Sequence, residues 1–343
     1  MDQNSLPAQE QPLLPGDFRP LPLLGNPHVQ TLLGNLLPGP AFGLPSRARP
    51  VVLPDGDCLV LHDSIPPGWA AGDRVALLVH GLSGSHQSGY MQRLARVLAR
   101  RGLRVVRMDL RGCGRGVALA RRPYHAGCSE DVRAAAAEVR RWSPASPLVL
   151  IGFSLGGNVV LKLAGEAAVQ PVPGLEGVAA VAPPIDLERC CALLAQPWNR
   201  IYEQFFVRNL TALARQRQRL FRDTPPLRFP RPLTLRLFDE VYTAPRTGFA
   251  GALDYYCRAA SLPYIPHIPV PALILTARDD PFIAVEPFES LAAPRQVEVR
   301  ILERGGHLGF LGWSGLGKIR WAEHQVAQWV LRRLPQGSPG QEG

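Results

Sequence analysis

The segment LVLIGFSLGGNVVLKLAG, residues 148–165, carries an apolar run into a serine set between glycines and then into residues at helical spacing. Leu148, Val149, Leu150 and Ile151 read as a strand buried on both faces of a parallel sheet. Val159, Val160, Leu161, Leu163 and Ala164 read as the apolar side of a helix. The G-x-S-x-G spacing therefore falls on a strand-to-helix elbow at Ser154, where Gly152, Gly156 and Gly157 have no side chains to clash and tolerate unusual backbone angles. A hydroxyl there has the chemistry of an acyl-transfer nucleophile. The turn exposes it, and the unpaired N–H groups of a helix N-terminus beside it favour developing negative charge. No other serine of the chain has glycines two places before and two places after it.

A serine hydroxyl is a weak nucleophile at neutral pH, so a base must take its proton and fixed donors must stabilise the oxyanion. Behind an elbow of this kind the acid and then the histidine follow in chain order. PALILTARDDPFIA is a strand that leaves into Asp279 and Asp280, and VEVRILERGGHLGF is a strand that leaves into His307. Of the eight histidines only His307 and His324 follow these acids, and His324 sits in the amphipathic stretch IRWAEHQVAQWVLRRL, where a packing role is expected. Spacing alone leaves Asp279 and Asp280 open. The oxyanion donors expected are the backbone N–H of Leu155, next to the serine, and that of Leu82, in the loop after the strand VALLV. His80 would shape that loop, and Asp109 and Arg111, in MDLRGCGRG, would hold neighbouring loops by ion pairing.

These residues need a sheet that brings strand ends together. Strand-like runs occur at Val51–Leu53, Cys58–Leu61, Val75–Val79, Val105–Met108, Leu148–Ile151, Val178–Val181, Ala272–Leu275 and Val297–Leu302. Helical segments are expected at 89–101, 129–142, 156–169, 286–293 and 319–333, an alternation that predicts a mostly parallel sheet with helices on both faces. The alternation breaks over about 184–268. The long helical stretch LERCCALLAQPWNRIYEQFFVRNLTALARQRQRLF inside that interval is expected to form a cap over the carboxyl ends of the strands. Phe205, Phe206, Leu210 and Leu213 could line a pocket or touch lipid, with Arg208, Arg215, Arg217 and Arg219 pointing outward. Packing of an amphipathic helix on the core is favoured over peripheral membrane contact.

A chain of 343 residues suits one large domain. Domain limits of 17–334 follow, with disordered tails at 1–16 and 335–343. The net charge of +10 comes almost wholly from dispersed arginines, since Lys162 and Lys318 are the only lysines, so a nucleic-acid partner is not expected. Six cysteines show neither a C-x-x-C pair nor zinc-ligand spacing with histidine and read as reduced thiols. No apolar run is long enough to span a membrane and no signal peptide opens the chain, which gives a cytoplasmic expectation.

NPHVQTLLGNLLP, HGLSGSHQSGYMQRLARVLARRG, MDLRGCGRG, GFSLGGNVVLKLAGE, RLFDEVYTAPRTGFAGALDYYCRAAS, ARDDPF and GGHLGF together resemble the α/β-hydrolase superfamily, and within it the YheT-like hydrolases, over nearly all of residues 18–333. The resemblance implies an α/β-hydrolase fold with a helical cap and a serine esterase acting on short- to medium-chain or lipid-like carboxylic esters through an acyl-enzyme. It implies no metal or organic cofactor and a small-molecule ester as partner. It carries a triad onto Ser154, Asp280 and His307. Asp280 is preferred because the family's acid commonly stands in an Asp-x-x-x-Pro turn, and Asp280 lies four residues before Ala284, at the place of that proline. Asp279 would then cap the turn. The family's arginine-rich segment after QT is replaced here by LLGNLLPGP, and the N-terminal anchor of eukaryotic relatives is not expected. An acyltransferase would use the same residues, and a catalytically silent ligand-binding module would use the fold without them.

Overall fold

The computed structural model describes residues 18–37, 44–314 and 318–333. The tails expected at 1–16 and 335–343 lie outside them. Strand β1 (Arg19–Pro20) and helix α1 (Pro27–Leu36) precede β2 (Arg47–Val52), β3 (Cys58–Ser64) and β4 (Val75–Val79). Helix α2 (Gly89–Ala99) leads to β5 (Arg104–Asp109), α3 (Ser129–Trp142) to β6 (Leu148–Phe153), and α4 (Leu155–Glu166) to β7 (Leu175–Val181). The interval before β8 (Ala272–Ala277) holds α5 (Leu187–Leu194), α6 (Arg200–Leu220), α7 (Leu235–Phe238), α8 (Ala244–Thr247) and α9 (Ala252–Ala259). Then follow α10 (Glu286–Glu289), β9 (Val297–Leu302), β10 (Leu311–Ser314), β11 (Lys318–Arg320) and α11 (Trp321–Arg333).

Strands β2 to β9 form one eight-stranded sheet in the order β2-β3-β5-β4-β6-β7-β8-β9. Only β3 runs against its neighbours; every other pairing in the sheet is parallel. Period-two side-chain alternation divides the core. Leu77, Val79 and Leu150 face the α3 and α4 side with Val132 and Val159, whereas Leu78 and Ile151 face the α2 and α11 side with Leu94 and Val326. Burial on both faces explains why these strands read as unbroken apolar runs. Each of the eight runs in the sequence falls on one strand of this sheet or extends one residue past it.

Three helical expectations change, the first being that residues 319 and 320, expected to open the last helix, belong to β11. The stretch expected over 286–293 is helical only to Glu289, and Pro294 disfavours a helical Ala293 at its far end. The stretch beginning at Leu187 is two helices, broken where Pro197 interrupts the i to i−4 ladder. On α6, Arg208, Arg215 and Arg219 are exposed, but Arg217 turns inward and donates to the Arg121 carbonyl. Among the described residues no helix is long and apolar enough to cross a membrane.

Candidate active site

At the end of β6 the chain enters α4 within one residue, and Ser154 takes the strain with φ +50° and ψ −124°. Such a conformation costs about 1–3 kcal/mol and persists only where surrounding contacts impose it. Those contacts are backbone against backbone. A Cβ on Gly152 would strike the Gly156 carbonyl, and one on Gly156 would strike the carbonyls of Val79 and His80. The glycines thus serve by close approach, and the unusual backbone angle falls on the serine itself.

His307 lies beyond β9 on a loop reached through Gly305 and Gly306, and its ring is buried. Its Nδ1 lies 2.8 Å from Asp280 Oδ2 and its Nε2 3.0 Å from Ser154 Oγ. An ionised carboxylate only accepts, so Nδ1 carries the proton and Nε2 is left to accept the serine O–H. The other oxygen of Asp280 accepts the backbone N–H groups of Phe282 and Ile283 at 3.1 and 3.0 Å. Asp279 instead accepts the Gly306 N–H at 2.9 Å, and burial raises its pKa above the usual carboxylate value. The structure therefore joins Ser154, His307 and Asp280 in one chain of hydrogen bonds and places Asp279 on the loop backbone. His324 lies apart, in α11.

The Leu82 and Leu155 N–H groups have no intramolecular partner among the described residues, whereas the neighbouring Gly81 and Ser83 N–H groups are taken by Tyr90 and Tyr124 hydroxyls at 3.0 and 2.8 Å. His80 is fully buried beside them. Its Nδ1 donates to the Gly81 carbonyl at 2.8 Å and its Nε2 accepts the Leu110 N–H at 3.1 Å. Burial lowers its pKa, so it stays a neutral strut of the loop.

Sequence reasoning gave no part to Gln30 and Thr31 beyond the family pattern. Both are buried on α1. Thr31 Oγ1 accepts the His307 backbone N–H at 2.9 Å, and the Gln30 amide both donates to the Leu311 carbonyl and accepts the Leu311 N–H, at 3.0 and 2.7 Å. The readable signal was the helix start: Asn26 accepts the N–H groups of His28 and Val29, with Pro27 at the first helical position.

Arg111 is paired with Asp55, Asp57 and Asp131. Asp109 accepts from both His62 and His86, at 2.8 and 2.9 Å. Burial pushes the Asp109 carboxyl up, but bonds from His62, His86 and Arg115 outweigh it and hold it below the usual range. This trio also has the donor atoms of a metal site. Its two imidazoles, however, are stacked 3.3 Å apart and within 10° of parallel, so their lone pairs lie in separate planes and cannot meet at one ion. The geometry is that of a clamp holding the His86 loop to the strands β3 and β5.

Two cavities meet at Ser154. One runs beneath α5 and α6 between Leu187, Leu194, Leu210 and Ile283. The other, the roomier of the two, extends past His307 toward Tyr90, Ile201 and Phe205. Leu82, Phe206 and Phe282 border both. Phe205 and Phe206 thus part company, since Phe205 is 58 % exposed and touches only the second.

The profile of the alpha/beta hydrolase family matches residues 76–313. The Escherichia coli protein named "Putative esterase YheT" is 32 % identical over 325 residues, which span 93 % of this chain and 94 % of that protein. The Saccharomyces cerevisiae "Medium-chain fatty acid ethyl ester synthase/esterase 2" is 28 % identical over 75 % of this chain and 62 % of its own length. Among solved structures, the 2,6-dihydroxy-pseudo-oxynicotine hydrolase superposes with a TM-score of 0.56 at 16 % identity, over 88 % of this chain and 70 % of that one.

Proposed function

The chain belongs to the alpha/beta hydrolase family, in its YheT-like branch, and from that premise we propose a carboxylic ester hydrolase that works through a Ser154 acyl-enzyme. The observation that carries the reading is the hydrogen-bonded chain from Ser154 through His307 to Asp280. In the first step Ser154 Oγ attacks the ester carbonyl while His307 Nε2 takes its proton. Asp280 holds the Nδ1 tautomer and stabilises the imidazolium without itself being protonated. The Leu82 and Leu155 N–H groups donate to the oxyanion, a contribution of about two to three orders of magnitude in kcat for one such donor elsewhere. His307 then returns the proton to the leaving alcohol. Water, deprotonated by the same imidazole, attacks the acyl-enzyme and releases the acid and Ser154.

The shapes on either side of the serine support an assignment of the two halves of the substrate. The smaller cavity under α5 and α6 takes the acyl chain, and the roomier one past His307 takes the alcohol. On this reading residues 184–268 act as a cap that sets acyl preference. The substrate class is a small ester with a short- to medium-length acyl chain. The test is hydrolysis of p-nitrophenyl butyrate by the wild type and Ser154→Ala. Activity lost with the circular dichroism unchanged supports the reading; activity retained rejects it.

A further inference from the structure

Asp239 opens a π-helical turn, Asp239–Thr243, within the motif RLFDEVYTAPRTGF, and it lines the apolar cavity that begins at Ser154. Such turns are rare and gather at functional sites. Thr243 Oγ1 donates to Asp239 Oδ1 at 2.7 Å, and the Tyr256 hydroxyl donates to Oδ2 at 2.8 Å. Both partners are neutral. Tyr256 and Thr243 line the same cavity, so their hydroxyl groups and the carboxyl form one polar patch in a lining that is otherwise mostly leucine, isoleucine and aromatic side chains, with Tyr124, His125 and Tyr255 elsewhere on the wall.

Pinning the turn accounts for two of the roughly four acceptor positions of a carboxylate. It does not account for the rest. Among the described residues no cationic side chain acts on Asp239, and burial, against the bonds from Thr243 and Tyr256, pushes its pKa up to about 6. An ionised group placed this way is costly unless further donors reach it. A further donor has to come from the cavity that Asp239 lines.

We propose that Asp239 reads the far end of the acyl chain, accepting a hydrogen bond from a hydroxyl on its last carbon, so that ω-hydroxyacyl esters are the substrate class. This rests on the acyl-enzyme reading of Ser154 and extends it. A carboxylate or phosphate at the chain end would be repelled by Asp239, and an ammonium would lose its hydration along walls made by Leu187, Leu194, Leu210 and Ile283. A hydroxyl crosses at lower cost and supplies the missing donor. A methyl end brought to the same place supplies no donor.

The experiment compares p-nitrophenyl esters of straight acyl chains from butyrate to dodecanoate, each with and without a terminal hydroxyl. At the length that reaches Asp239, kcat/KM for the hydroxy ester should exceed that of the methyl-ended ester by about tenfold or more. Shorter chains, whose hydroxyl ends among leucines, should show the reverse. Asp239→Leu should abolish the preference, and Asp239→Asn, whose amide oxygen still accepts, should keep part of it; each ratio is taken within one enzyme. If Asp239→Leu does not fold, the wild type crystallised with an ω-hydroxyalkyl phosphonate on Ser154 decides, the expected hydroxyl lying within hydrogen-bond distance of Asp239. Methyl-ended esters preferred at every length, an unchanged ratio in Asp239→Leu, or a phosphonate hydroxyl placed elsewhere would overturn the proposal. A flat hydroxyl ratio alongside loss of all hydrolysis in Ser154→Ala removes this inference and leaves the hydrolase reading standing.

Discussion

The hydroxyl of Thr31 accepts the backbone N–H of His307 at 2.9 Å, so a helix near the start of the chain holds the loop that carries the histidine. The same hydroxyl donates to the Pro27 carbonyl at 2.8 Å, which fixes its own direction. Thr31→Ala should leave His307 with its Asp280 partner but with a looser loop. A net hydrogen bond is worth about 1 kcal/mol, so kcat should fall by roughly fivefold, and Thr31→Ser should restore it. Steady-state kinetics on p-nitrophenyl butyrate separate kcat from KM. Equal kcat for the alanine variant and the wild type would remove the positioning role.

The paired aspartates give a sharper contrast. Asp280→Asn keeps the shape but presents either an oxygen or an N–H to His307 Nδ1, and so permits the wrong tautomer. A loss of up to about four orders of magnitude in kcat follows. Asp279→Asn should cost far less, because its amide oxygen can still accept the Gly306 N–H. Both are measured at saturating substrate with folding checked by circular dichroism. A dead Asp279→Asn beside a near-normal Asp280→Asn contradicts the assignment.

How far the sequence carried this account depends on where the contacts lie. The strands are legible because β4 and β6 are buried on both faces and so are unbroken apolar runs. Order along the chain singles out Ser154 and His307, since only two histidines follow the candidate acids. Spacing does not separate Asp279 from Asp280. The bonds that do so are made by His307 and Gly306, residues on the next loop. The grip of α1 on the His307 loop is equally silent in local pattern, because Gln30 meets Leu311 and Thr31 meets His307 only after the chain has closed on itself. Arg217 misleads for a related reason: it falls among the exposed arginines of an amphipathic helix, yet its guanidinium has a carbonyl of a facing loop to reach.

Phe206 borders both cavities and Phe205 only the outer one. Phe206→Ala should therefore change the ratio of short-chain to long-chain kcat/KM by roughly 1–3 kcal/mol. Phe205→Ala should leave that ratio alone and act on esters that differ in the alcohol. A loss across all esters that tracks thermal stability, rather than chain length, would place Phe206 in the packing and not in the pocket.

Asp239 adds a pH signature to stability. Its carboxyl titrates at about 6 in the folded protein against an ordinary value of 3.8. The folded state binds this proton more tightly, so the group's contribution to stability is complete below its unfolded value and is lost as pH rises through about 6. The difference is on the order of 3 kcal/mol. Asp239→Asn does not ionise, so its Tm relative to the wild type should rise by a few degrees between pH 4 and pH 7 in calorimetry. A relative Tm that stays flat over that range contradicts an ionisable, buried Asp239.

The claim on which the rest depends is that Ser154 is an activated nucleophile rather than a polar residue in a tight turn. Labelling with a fluorophosphonate, followed by mass spectrometry of the peptides, tests it directly, because the reagent requires a serine whose proton a neighbouring base takes as it attacks, next to an oxyanion site. The expected result is one covalent adduct on Ser154, absent from Ser154→Ala and strongly slowed in His307→Ala. An unlabelled wild type, or an adduct that persists in Ser154→Ala, would contradict it.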